Sequence, residues 1–158
     1  MSYWIDTHAH IYAKEFHQDR EDMLHRCEEN NVKKIFMPNV DHTSIDAMQE
    51  VESRSPGCQA MMRLHPCSVK KGFERELYLV EEWLSKKKFA AVGEIGTVLY
   101  WDKTFWHQQC EAFILQVAVQ RLEAPVLRGV AAEARNVDDE RDLARAVAGV
   151  VPGTTVSI

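Results

Sequence analysis

An α/β fold with a parallel sheet is the architecture this sequence predicts, on two observations. Short apolar runs alternate with stretches of helical period along the first two thirds of the chain. Polar residues of metal-ligating type collect where those runs stop, the place where the carboxyl ends of parallel strands build active sites.

Taken in order, Tyr3 to Asp6 reads as a strand and Glu15 to Asn30 as a helix. Lys33 to Pro38 is the next strand, closed by Pro38-Asn39, and Thr43 to Arg54 the next helix, with Thr43 carrying N-cap chemistry. Ser55-Pro56-Gly57 then opens a strand over Gln59 to Leu64, followed by a helix over Glu74 to Lys87. Phe89 to Glu94 gives a fourth strand, and Thr104 to Arg121 a longer helix whose apolar positions include Phe105, Cys110, Phe113 and Val117. Strands that alternate with helices pair in parallel through right-handed crossovers.

Bulk properties bound the class. With 158 residues, 46% hydrophobic and 27% charged, the chain suits one globular domain and is too charged for a membrane protein. Cys27, Cys58, Cys67 and Cys110 form no C-x-x-C pair and read as reduced, structural thiols. The start shows neither a basic region nor an apolar stretch of signal-peptide length, which predicts a cytoplasmic protein without a membrane partner. A net charge of -5 argues against binding nucleic acid through a basic face, since the basic clusters are only Lys33-Lys34, Lys70-Lys71 and Lys86 to Lys88. Divalent cations would have to supply positive charge to a nucleic-acid substrate.

The candidate chemistry begins at Asp6-Thr7-His8-Ala9-His10. Side chains two apart on an extended chain share a face, so His8 and His10 can close on one metal ion; the competing reading is two exposed histidines on an edge strand. Asp6 and Thr7 stand where they could fix a histidine tautomer. Glu94 follows the apolar run Phe89-Ala90-Ala91-Val92 between Gly93 and Gly96, either as a metal ligand or as a surface glutamate in a Gly-rich turn. A carboxylate there can bridge two divalent ions, the arrangement that suits phosphoester hydrolysis. His65, before Pro66, reads as a hydrogen-bonded structural residue, and His17, His25, His42 and His107 have no matching partner.

Five motifs in order, Ile5 to His10, Phe16-x-x-Asp19, Leu64-His65-Pro66, Val92-Gly93-Glu94-Ile95-Gly96 and Gln109-x-x-x-Phe113-x-x-Gln116, resemble the TatD family of metal-dependent deoxyribonucleases, amidohydrolase-like TIM barrels. The resemblance covers about residues 1–126, where Ala124-Pro125-Val126 looks like the start of a fifth barrel strand; residues 127–158 form a divergent tail, read as a helix and a short strand on the same domain. It implies a parallel (β/α) TIM-barrel-like fold with a two-metal centre (Mg, Zn or Mn). His8 and His10 would ligate one ion, and Glu94 would be both a ligand to the two ions and the catalytic carboxylate. Metal-activated water would then cleave DNA phosphodiester bonds.

The departures from that pattern are equally specific. Family members carry later histidine ligands and an aspartate; here no histidine follows His107. A TIM barrel takes about 250 residues, so 158 residues allow about five or six of its eight units. Arg63 replaces a glycine, predicting an obstructed pocket floor, and Val98 replaces an aspartate, predicting a lost outer hydrogen bond. From Thr104 onward there is no lysine, and after Arg121 no aromatic residue, which marks a substituted or diverged ending. Two expectations follow. The chain is a TatD-like DNase, or it is an impaired, truncated barrel fragment that binds metal weakly and forms a homo-oligomer through unpaired sheet edges. A lactone- or amide-hydrolysing relative ranks lower, because Glu94 stands where such enzymes place a lysine.

Overall fold

The computed structural model describes residues 2–121, so the expected fifth strand and the tail lie outside the described residues. Two compact units emerge among the described residues: one runs to Arg63 and includes Trp83–Glu94, the other takes Leu64–Glu82 and Ile95 to Arg121.

The first unit holds the sheet. Its strands are β1 (Trp4–Asp6), β2 (Val32–Pro38), β3 (Cys58–Met62) and β4 (Ala91–Val92), in the order β1-β2-β3-β4 and all parallel. Consecutive parallel neighbours with helical crossovers are the opening units of a (β/α) barrel, which bears out the expected fold class. Helices α1 (Arg20–Glu29) and α2 (Ile45–Arg54) pack on β2 and β3. Ile35, Met37, Met48, Val51, Ala60 and Met62 lie in the core; the stretch of β2 from Ile35 to Pro38 and β3 from Ala60 to Met62 are apolar on both faces, while β1 is exposed along its length.

Several boundaries differ from the sequence expectation for physical reasons. α1 starts at Arg20, not Glu15: Lys14–Phe16 forms a separate 3-10 turn, and the Arg20 guanidinium donates to the carbonyls of Ile11 and Tyr12 at 2.8 and 3.1 Å. These bonds hold the preceding loop instead of extending a helix. At its other end Asn31 takes φ 59°, the left-handed conformation that asparagine tolerates, and turns the chain into β2. Thr43 is not the cap before α2. Asp41 caps the 3-10 turn His42–Ser44 that leads into α2, accepting from the Thr43 backbone amide at 2.9 Å in a capping box with Ser44, and Ser44 takes the N-cap position of α2 itself. β4 is shorter than Phe89 to Glu94 because its partner β3 ends at Met62; single bonds from Ala90 N to Ala60 O (3.0 Å) and Gly93 N to Met62 O (3.3 Å) flank the two paired residues.

The second unit contains most of α3 (Glu74–Lys86) and α4 (Trp106–Arg121). Buried Gln116 accepts from Leu64 N at 2.6 Å and donates to Leu64 O at 3.3 Å, and Gln109 holds Val98 N and O in the same way, at 2.7 and 3.3 Å. These two glutamines of the Gln-x-x-x-Phe-x-x-Gln motif are therefore backbone clamps. The loop at Val98, where the family pattern has an aspartate, is held through its main chain. His65 accepts the Cys67 amide at 3.0 Å, the structural role expected of it.

All four cysteines are free thiols. No helix among the described residues is long and apolar enough to cross a membrane.

Candidate metal centre

The loop after β1 is laid along β2 by the bond from Ala9 N to Phe36 O (3.0 Å), and Asp6 accepts the His8 backbone amide at 3.0 Å. Asp6, expected to fix a histidine tautomer, thus shapes the loop through the His8 main chain. The two rings meet edge to face, their centroids 5.0 Å apart and their planes at 68°. His8 Nε2 stands 3.1 Å from His10 Nε2 and 3.4 Å from Glu94 Oε2, so the three residues singled out in the sequence do converge.

Glu94 is held by Arg63. The guanidinium donates to the Glu94 carbonyl at 3.0 Å and lies 3.6 Å from Glu94 Oε2, with the Arg63 side chain 0% exposed and that of Glu94 41% exposed. Gly93 makes room: a Cβ there would lie 2.7 Å from Arg63 Cδ and 2.9 Å from Pro38 Cβ. The Arg63 backbone is clamped in turn by buried Asn39, which accepts from Arg63 N at 2.6 Å and donates to Arg63 O at 2.7 Å. Arg63, which the sequence reading placed on the pocket floor, supplies a buried positive charge beside the carboxylate.

His10 is held by Tyr12, to which the sequence reading gave no role. His10 Nδ1 lies 2.7 Å from the Tyr12 hydroxyl, which donates to Pro38 O at 2.6 Å. Burial pushes the Tyr12 pKa up to about 12, partly offset by Ser44 and Arg63, so the hydroxyl keeps its proton at neutral pH. The available signal was parity, since Tyr12 continues the every-second-residue pattern of His8 and His10.

The donor chemistry, two imidazoles and a carboxylate, suits a divalent transition metal. Two ligands about 2.0–2.1 Å from one ion and roughly 90–110° apart stand about 2.8–3.4 Å from each other, a range that includes both close approaches, 3.1 and 3.4 Å. Among the described residues no three His, Cys, Asp or Glu side chains close into a ligating cluster. The site is two close pairs sharing His8, an open half-site that fits the cation in chemistry and spacing.

Comparison with known proteins decides the family, because the TatD related DNase pattern matches residues 5–127. The chain belongs to the TatD-related DNase family. It is 28% identical over 117 residues to YabD of Bacillus subtilis (strain 168), an uncharacterized metal-dependent hydrolase, covering 74% of this chain and 46% of YabD. The crystal structure of YJJV, a TatD homologue from Escherichia coli k12, superposes with a TM-score of 0.68 at 27% identity, covering 73% of this chain and 46% of YJJV. The chain thus spans about half the length of the TatD relatives it matches.

Proposed function

We propose that His8, His10 and Glu94 bind a divalent cation in a hydrolase that cleaves DNA phosphodiester bonds. The observation that carries this reading is the approach of His8 Nε2 to both His10 Nε2 and Glu94 Oε2 in a chain of the TatD family. The relative YabD, described as a metal-dependent hydrolase, supports the reaction class. His8 and His10 would hold the cation through Nε2, and Glu94 through its carboxylate. Such a cation supplies positive charge to the phosphodiester and acidifies water. Arg63 holds and aims Glu94, and Asn39 keeps Arg63 in place. The test is DNA hydrolysis with added Mg, Mn or Zn. Activity abolished by EDTA and by the His8→Ala/His10→Ala double substitution is the expected result, and activity that survives both overturns the proposal.

One observation favours the second reading, of a chain that self-associates. Among the described residues β1 pairs only with β2; its Trp4 and Ile5 are 72% and 43% exposed, and Tyr3 just before it 57%. An apolar strand with a bare edge recruits another strand. Light scattering that shows a homo-oligomer without DNase activity above the double variant supports this reading; an active monomer contradicts it.

A further inference from the structure

We propose that Tyr12 is a positioning residue that fixes the proton of His10 on Nδ1 and so presents Nε2 as a lone pair before any cation arrives. This rests on the cation-binding role of His10 proposed above. A carbonyl oxygen only accepts, so the 2.6 Å bond to Pro38 O commits the single hydroxyl proton of Tyr12. The tyrosine oxygen can then only accept from His10 Nδ1, 2.7 Å away, and that nitrogen must carry the hydrogen. Neutral His10 is left with an unprotonated Nε2, the opposite of the tautomer that free histidine prefers.

The consequence reaches His8. With His10 Nε2 an acceptor, the 3.1 Å contact between the rings requires His8 to donate from Nε2 in the metal-free chain. The two histidines therefore differ. His10 is ready to ligate through Nε2, whereas His8 must move that proton to Nδ1 or lose it. Tyr12 is buried and its anchor, Pro38, closes the inner strand β2, so the ring is set by the sheet. A ligand held by a rigid partner needs no reordering when the cation binds.

The experiment is nitrogen-15 NMR of the histidine rings in the metal-free full chain, with His8→Ala and His10→Ala assigning the signals. Expected are Nδ1–H for His10 and Nε2–H for His8. An Nε2–H His10 overturns the inference without any variant having to fold. In Tyr12→Phe, His10 should shift towards Nε2–H and zinc affinity by calorimetry should fall roughly 10- to 100-fold. A His10 that stays Nδ1–H in that variant, or unchanged zinc affinity, contradicts the role of Tyr12. A chain with the expected tautomers and metal binding but no DNA hydrolysis would overturn the proposed substrate and leave the Tyr12 inference supported.

Discussion

Each unit contains a buried amide side chain that clamps the backbone of a residue just past β3, yet the two clamps do different work. Asn39, directly after β2, bonds both N and O of Arg63, whose side chain goes on to hold Glu94. Gln116, within α4, bonds both N and O of Leu64, whose side chain is buried in an apolar core. The backbone requirement is the same: a buried N–H and C=O beyond the ladder must be satisfied. What differs is the side chain that the clamp fixes, a charged arm to the candidate metal centre in one unit and packing in the other.

That contrast is open to test. The largest effect is expected for Asn39→Leu, which strands two buried backbone groups and frees Arg63. Denaturant unfolding should show a loss of about 2–4 kcal/mol, and zinc affinity should fall at least tenfold. Gln116→Leu should lower stability by a similar or slightly smaller amount, about 2–3 kcal/mol, with zinc affinity unchanged. Equal loss of zinc affinity in both variants would erase the distinction between the clamps.

A smaller effect is expected from Tyr12. Its folded pKa of about 12 lies above the ordinary value of 10.0, so its stabilising contribution is complete below pH 10 and is lost as pH rises from 10 to 12. Wild type should lose roughly 2 kcal/mol more than Tyr12→Phe over that interval, measured by urea unfolding. Smallest in consequence is the behaviour of the thiols. Burial pushes the pKa of Cys58 up to about 11 and that of Cys110 up to about 12. At pH 8 an alkylating reagent should therefore modify exposed Cys67 well before either buried thiol, as peptide mapping would show.

The legibility of the molecule follows the same division. The strand-helix alternation was readable because the ends of β2 and β3 are apolar runs and α2 and α3 are amphipathic, so burial left its period in the sequence. The start of α1 was not, because Glu15 to Asp19 has helical composition and only the long-range bonds of Arg20 separate it from the helix. At the site, His8, His10 and Glu94 were legible as residue types at strand ends. Tyr12 and Asn39 were not, since their roles depend on reaching main-chain groups 26 and 24 residues away. Arg63 was noticed only as an oddity; its pairing with Glu94 depends on the space that Gly93 leaves.

The central claim is that His8, His10 and Glu94 form a cation-binding centre. Zinc or manganese titration of the metal-free chain by calorimetry, alongside His10→Ala and Glu94→Gln, tests it most directly. The account predicts saturable binding by the wild type and at least tenfold weaker binding by each variant. Binding that is absent from the wild type, or equally strong in all three proteins, would contradict it.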